Sequence, residues 1–267
     1  MSELLLRAKD IGIVFGGLRA VSDFNLELFE GELIGLIGPN GAGKSTVFNM
    51  LSGIYKPTNG TITFVDRKGE LLLTNKKNPA ELNRLGIART FQNIRLFGNL
   101  TVGENIKIAL HQTNNVNPFD VLFRSKKFRQ DEEHMQTKTV QLLELFHLEG
   151  KINELAKNLP YGEQRKLEIC RALASKPKLL LLDEPAAGMN GQETEELMHM
   201  IKEIKQKFNL TILLIEHDMK LVMGICERLL VLNYGRIIAS GLPSEIQSNE
   251  EVIKAYLGSG YEDAKEA

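Results

Sequence analysis

The sequence has two cysteines, a net charge close to zero and no long apolar run, and each absence narrows the possible functions. Cys170 and Cys226 lie in apolar, helix-compatible segments without CxxC spacing, so we expect reduced core thiols and neither a disulfide nor a metal site. A formal net charge of −1 lacks the basic footprint that nucleic acid binding requires. The apolar runs Leu179–Leu182 and Ile212–Ile215 are far shorter than the roughly 20 residues of a membrane span.

The amino terminus and the chain length give two further expectations. MSELLLRAKD has no basic region followed by a long apolar stretch, so the sequence predicts no secretion signal and a cytoplasmic location. The 267 residues can bury one large core or two closely joined ones. We therefore expect one catalytic domain, and an inserted subdomain is compatible with this length.

A glycine-rich segment, GPNGAGKS, begins at Gly38, directly after the apolar run Leu33–Ile37. It matches GxxxxGKS/T, in which backbone N–H groups at the start of a helix cradle phosphate oxygens. Lys44 is expected to reach the β and γ phosphates, and the Ser45 hydroxyl to ligate Mg²⁺. The sequence therefore predicts a nucleoside triphosphate site, formed by Gly38, Pro39, Asn40, Gly41, Ala42, Gly43, Lys44, Ser45 and Thr46.

Hydrophobic periodicity divides the chain into an α/β unit and a helical unit. We expect an α/β core at 1–91 and 171–258, a helical subdomain at 92–170 and a polar tail at 259–267. The predicted strands are Leu4–Phe15, Val21–Phe29, Leu33–Ile37, Thr61–Val65, Leu179–Leu182 and Leu210–Ile215, and the predicted helices are Ser45–Ser52, Gln136–Leu148 and Gln192–Phe208, with a closing hairpin around Asn233, Tyr234 and Gly235.

One part of the helical unit, His111–His134, is polar and basic with scattered aromatic residues. We interpret it as a solvated helical insertion, and contact with a membrane protein or lipid headgroups is the alternative. Its basic and aromatic residues are Phe119, Phe123, Arg124, Lys126, Lys127, Phe128 and Arg129.

Acidic residues end another buried run, LLLLDEP, which begins at Leu179. Asp183 at the strand tip can hold Mg²⁺, and Glu184 can orient and deprotonate an attacking water. His217 follows the next predicted strand, and parallel strands present their carboxyl ends to one crevice, so His217 can point at the γ phosphate. Gln92, between the two units, is an ordinary loop amide as far as the residues alone indicate.

These motifs together resemble one family. GPNGAGKS, Gln92, LPYGEQRKLEI from Leu159, LLLLDEP and His217 occur in the order and spacing of an ATP-binding cassette (ABC) ATPase, over nearly the whole chain. The resemblance implies a P-loop (RecA-like) α/β core with an N-terminal antiparallel β subdomain and an inserted α-helical subdomain. It also implies a transporter's motor subunit that uses ATP and Mg²⁺ and works as a dimer, each ATP lying between the phosphate loop of one subunit and the signature loop of the other.

The resemblance also implies roles for residues that the sequence pattern leaves open. Phe15 matches the position whose ring stacks on adenine, although a lone phenylalanine there is equally compatible with the core. Gln92 would contact Mg²⁺ and the γ phosphate. The signature residues that would contact the nucleotide are Tyr161, Gly162 and Glu163.

The signature departs from the wider family's LSGGQ. Pro160 replaces the serine and Glu163 the final glutamine, so contact with the opposing γ phosphate would fall to Gly162 and the N-terminus of the following helix. Asn190 stands where most relatives have aspartate. The altered signature and Asn190 are both familiar among amino acid importers, so we interpret them as marks of a subfamily.

Longer strings look like the larger ATP-binding subunit of bacterial branched-chain amino acid importers. They are ARTFQNIRLFGNLTVGENI from Ala88, DEPAAGMN from Asp183, IEHDMKLVMGIC from Ile215 and VIKAYLG from Val252. This resemblance implies uptake of leucine, isoleucine and valine, with membrane-embedded permease subunits and, indirectly, a periplasmic binding protein. The second ATPase subunit would be either a homologue, giving a heterodimer, or an identical copy. The protein would be a peripheral subunit on the cytoplasmic face of the inner membrane.

Other functions remain as alternatives. A GTPase is disfavoured because DxxG at Asp66–Gly69 has no matching NKxD, the nearest string being NKKN at Asn75–Asn78. Within the ABC ATPases, a urea or short-amide importer, lipopolysaccharide export and a non-transport ATPase remain open.

Overall fold

The strands form two sheets, and the computed structural model describes residues 3–111 and 126–263. The first sheet is antiparallel, in the order β2 (Leu18–Phe29), β1 (Leu4–Phe15), β4 (Asn59–Val65), β5 (Leu71–Leu73). The second is mixed, in the order β10 (Arg236–Gly241), β9 (Arg228–Asn233), β3 (Leu33–Ile37), β8 (Thr211–Ile215), β7 (Leu179–Asp183), β6 (Ile87–Arg89).

The direction of the strands in the second sheet determines where a site can form. Strands β9, β3, β8, β7 and β6 run parallel, and β10 is antiparallel to β9. The carboxyl ends of β3, β7 and β8 therefore lie side by side at one edge. This is the edge at which ligands bind in sheets of this kind.

Strand β7 is apolar throughout because both of its faces are buried. Side chains of a strand alternate between its two faces. Leu179 and Leu181 belong to a core shared with the antiparallel sheet, whereas Leu180 and Leu182 belong to a core shared with the helices. Because both faces of the sheet are covered, every residue of β7 is buried, as is usual for parallel sheets.

The helices fall into two groups. Their bounds are α1 (Lys44–Leu51), α2 (Pro79–Leu85), α3 (Val102–His111), α4 (Lys126–Glu144), α5 (Tyr161–Ala174), α6 (Gly191–Phe208), α7 (Met219–Ile225), α8 (Pro243–Gln247) and α9 (Glu250–Asp263). Helices α3, α4 and α5 pack together and form the helical region, whereas the other helices lie around the second sheet. Among the described residues, no helix is both long and apolar enough to cross a bilayer.

Helix α9 continues into the predicted polar tail at 259–267 and ends at Asp263. The tail boundary stays a prediction. Asn249 caps this helix, its side chain accepting from the backbone N–H groups of Glu251 and Val252.

Three other expectations also have an outcome. Both cysteines are buried free thiols, and burial raises the pKa of Cys226 to about 12. The DxxG string lies in the turn from β4 into β5, where the Asp66 carboxylate accepts from the backbone N–H groups of Lys68 and Glu70. The insertion predicted at His111–His134 lies partly outside the described residues; this holds for Phe119, Phe123, Arg124 and the side chains of Lys126, Lys127, Phe128 and Arg129.

Candidate functional site

The phosphate loop connects β3 to α1, and its backbone requires glycine. Gly38, Gly41 and Gly43 have φ angles of 149°, 74° and 102°, a region that other residues rarely adopt. A Cβ atom on Gly38 would lie 2.0 Å from the carbonyl oxygen of Leu232 on β9. The loop can therefore curl closely at the sheet edge, with the N-terminus of α1 behind it.

Lys44 is the buried cation of this loop. Its side chain lies across the loop and donates to the carbonyl oxygens of Gly38 (2.7 Å) and Pro39 (2.9 Å). Burial lowers the pKa of Lys44, and the carboxylates of Glu184 and Asp183 oppose this by raising it. The ammonium group thus lies in the field of the two acids predicted from LLLLDEP.

The structure brings Glu184, Gln92 and His217 together. Gln92 Nε2 donates to Glu184 Oε2 at 2.9 Å, and His217 Nε2 lies 2.8 Å from Glu184 Oε1. Glu184 has a φ of 48°, and its backbone N–H donates to the carbonyl oxygen of Ile215 at the end of β8. The three residues predicted to be catalytic therefore form one hydrogen-bonded group, centred on the carboxylate.

Asp183, at the end of β7, is paired with an arginine that the sequence analysis missed. Arg89 Nη2 donates to Asp183 Oδ2 at 2.7 Å, and both side chains are buried. Arg89 also donates to Asn49 of α1 and to Ser52, which directly follows α1, and it stacks on Phe91. The arginine therefore ties the acidic strand tip to the helix that follows the phosphate loop.

The signature residues begin α5, and the ring of Tyr161 lies beside Gly188 in the loop after Glu184. Glu163 binds the ammonium group of Lys151 at 2.6 Å. Gly162 is buried, and a Cβ atom there would lie 2.9 Å from Glu193 Oε1. Tyr161 is 47% exposed. In this chain the signature thus contacts Lys151 and the start of α6.

A second missed arginine connects the signature helix to Gln92. Arg165 is buried in α5 and donates to the carbonyl oxygens of Phe91, at 2.6 Å, and of Gln92. Glu168, one turn later, pairs with Arg165 and accepts from the backbone N–H of Arg95. The main chain of the loop around Gln92 is therefore held by a side chain of α5.

The comparison with known proteins identifies the family. A family model described as ABC transporter matches residues 21–187. The chain belongs to the ABC transporter ATPases. The predicted family, the ABC ATPase fold, ATP binding and the ATPase activity are thereby confirmed.

More specific similarities concern one branch of these cassettes. A family model described as branched-chain amino acid ATP-binding cassette transporter matches residues 236–262. The cassette is 48% identical to the high-affinity branched-chain amino acid transport ATP-binding protein LivG of Salmonella typhimurium, over 97% of this chain and 99% of the relative. It is 43% identical to BraF of Pseudomonas aeruginosa, described in the same words, with the same coverage. A solved structure, the ADP conformation of MJ1267, an ATP-binding cassette of an ABC transporter, has 32% identity and a TM-score of 0.81, covering 96% of this chain and all of that one (100%).

The predicted adenine platform of the cassette contains a second aromatic ring. Phe15, at the end of β1, is 43% exposed, so it is not a core residue. Its ring packs edge-on against Tyr55, with ring centroids 5.2 Å apart. Tyr55 follows α1 and was not predicted, because 40 residues separate it from Phe15 in the sequence. Stacking on adenine stays a prediction for this pair.

The residues present suit magnesium. Ser45, Asp183 and Gln92 offer oxygen atoms, the donors that Mg²⁺ prefers. No group of three His, Cys, Asp or Glu side chains in the described part of the chain could hold a metal ion by itself. Mg²⁺ usually binds through one or two protein carboxylates together with substrate phosphates and water.

Proposed function

We propose that this cassette is the ATP-hydrolysing subunit of a bacterial importer for branched-chain amino acids. The observation that carries the proposal is the match of residues 236–262 to the branched-chain family model. The similarity to LivG and BraF, which extends over 97% of the chain, supports it. The substrate rests on these relatives, because transported molecules are not recognised by the site described above.

The proposed chemistry assigns one task to each group of the site. Lys44 binds the β and γ phosphates, and Ser45, Asp183 and Gln92 hold Mg²⁺, which neutralises phosphate charge when bound. Glu184 orients the attacking water and accepts its proton. Both oxygens of Glu184 are engaged here by Gln92 and His217. Each carboxylate oxygen can accept a second hydrogen bond, so Glu184 can also accept from the attacking water while Gln92 and His217 fix its orientation.

The proposed assembly pairs two cassettes beneath membrane-embedded permease subunits. The phosphate loop of one cassette and Tyr161, Gly162 and Glu163 of the other would enclose each ATP, so ATP joins the cassettes and hydrolysis separates them. We propose a homologous cassette as the partner in the cell, a periplasmic binding protein as the indirect partner, and a peripheral position on the cytoplasmic face of the inner membrane.

The substrate can be tested by transport in vesicles. The cassette would be co-purified with its membrane subunits, reconstituted, and supplied with binding protein and labelled leucine. We expect ATP-dependent accumulation of leucine that unlabelled isoleucine and valine suppress and urea does not. Uptake of urea or acetamide, or co-purification with lipopolysaccharide export components, would contradict the amino acid assignment.

Gln92→Ala tests coupling within the same complex. The side chain of Gln92 contacts Glu184, while its carbonyl oxygen is held by Arg165 of the helical region. A few residues at such a junction can transmit domain closure. We expect ATP binding to persist and the stimulation of hydrolysis by loaded binding protein to fall about tenfold. Full stimulation in the variant, measured as ATPase rate with and without binding protein, would show that coupling uses other residues.

A further inference from the structure

Glu216 is a buried acid to which the proposed chemistry gives no task. It directly follows β8 and is 4% exposed. Its Oε1 accepts from the backbone N–H of Ala186 at 2.7 Å, and its Oε2 accepts from the backbone N–H groups of His217 (2.9 Å) and Asp218 (3.4 Å). One carboxylate thus binds the main chain of two different loops.

These two loops carry the centre of the candidate site. Ala186 belongs to the loop that follows β7 and begins with Glu184, and His217 belongs to the loop that follows β8. The strands are neighbours, with Asp183 paired to Ile215. Main-chain bonding between them extends as far as Glu184, whose backbone N–H donates to the carbonyl oxygen of Ile215. Beyond that point, the two oxygens of Glu216 connect the loops at Ala186, His217 and Asp218.

The electrostatics of Glu216 fit a role in holding backbone. Burial raises the pKa of Glu216 above its ordinary value, and the hydrogen bonds from the backbone N–H groups of Ala186, His217 and Asp218 offset this only in part. None of the ion pairs found among the described residues involves Glu216, so N–H donors and not a cation offset the cost of burying its charge.

We propose that Glu216 is a positioning residue that holds the Glu184 loop and the His217 loop in one arrangement, so that both side chains meet the same bound phosphate. The proposal rests on the proposed hydrolytic roles of Glu184 and His217. It predicts that Glu216 affects the chemical step and leaves nucleotide binding nearly unchanged, because none of its hydrogen bonds reaches the phosphate loop.

The test is ATP hydrolysis by the purified full chain carrying Glu216→Gln. The amide replaces one acceptor oxygen with an NH₂ group, so one loop loses its anchor whichever way the amide turns. We expect kcat to fall about tenfold while the Kd for ATP, measured by calorimetry, stays within about twofold. Glu216→Asp, whose carboxylate is one methylene shorter, should show the same split and serves if the amide variant does not fold.

Asp66→Asn provides a matched control. Asp66 is also a buried carboxylate, and its Oδ1 accepts from the backbone N–H groups of Lys68 (2.8 Å) and Glu70 (2.9 Å) in the turn between β4 and β5. Asparagine keeps one oxygen that can accept from both N–H groups, so this substitution measures the effect of removing the charge of a buried carboxylate. We expect wild-type kcat from this variant, and an equal fall in kcat for Asp66→Asn would overturn the proposal.

A double variant separates positioning from general destabilisation. If Glu216 acts by placing Glu184 and His217 together, Glu216→Gln should reduce kcat by a smaller factor in a His217→Ala background than in the wild type. Multiplied losses, or a Glu216→Gln enzyme with wild-type kcat, would also overturn the proposal. Leucine uptake does not enter this assay, so an error in the transported substrate would leave the result unchanged.

Discussion

Glu184→Gln is expected to bind ATP and to lose nearly all hydrolysis, with kcat reduced by about 100-fold or more. The amide keeps the size of the side chain but cannot accept the proton of the attacking water. It also keeps only one acceptor oxygen where Gln92 and His217 now engage two. Bound ATP would remain uncleaved, so the variant should accumulate as an ATP-bound dimer.

The measurement combines steady-state ATPase rates with size-exclusion chromatography in the presence of MgATP. Glu195→Gln is the matched control, because Glu195 is 57% exposed and pairs with Lys220 on the surface. It should keep the wild-type rate. Turnover by Glu184→Gln close to that of the wild type would show that another group is the base.

Lys44→Ala is expected to weaken nucleotide binding itself. The ammonium group is nearly enclosed, and hydrogen bonds to charged groups in such settings contribute about 1.5–3 kcal/mol, or roughly 10- to 100-fold in Kd. Removal of the side chain also releases the carbonyl oxygens of Gly38 and Pro39, which Lys44 now holds. We therefore expect both lower affinity for ATP and a less ordered loop.

Calorimetry with MgATP measures this effect. Lys254→Ala is the control, because the side chain of Lys254 is 76% exposed and its ion pair with Glu250 is of the weak surface kind. An unchanged Kd for Lys44→Ala would contradict the assignment of Lys44 to the phosphates.

The sequence by itself was sufficient to predict several strands and the phosphate loop, because these depend on residues close together in the chain. Alternating apolar residues indicated β2, because one face of that strand is buried, and continuous apolar runs indicated β3 and β7, because both faces of those strands are covered. The glycines of the phosphate loop are required by backbone angles that the motif itself encodes. The resemblance carried by these motifs was sufficient for the family and the ATPase activity.

Tertiary structure alone decided how the site is held together. Arg89 and Asp183 are 94 residues apart in sequence, and Arg165 and Gln92 are 73 apart, yet each pair is joined by a hydrogen bond. No local sequence pattern indicates which residue a buried arginine will pair with. Glu216 was likewise only a neighbour of His217 in the sequence, and its second contact, at Ala186, is 30 residues away.

The physical reason for this division is the range of the interactions. Strand alternation, glycine angles and helix caps depend on residues within a few positions of one another, and such preferences can be recognised in a linear string. Buried polar groups must find partners wherever folding brings them, because an unsatisfied buried group is costly. The sequence by itself therefore determined the family and the residues expected to do the chemistry. The tertiary structure decided that Gln92 and His217 meet on Glu184, and which buried side chains hold them there.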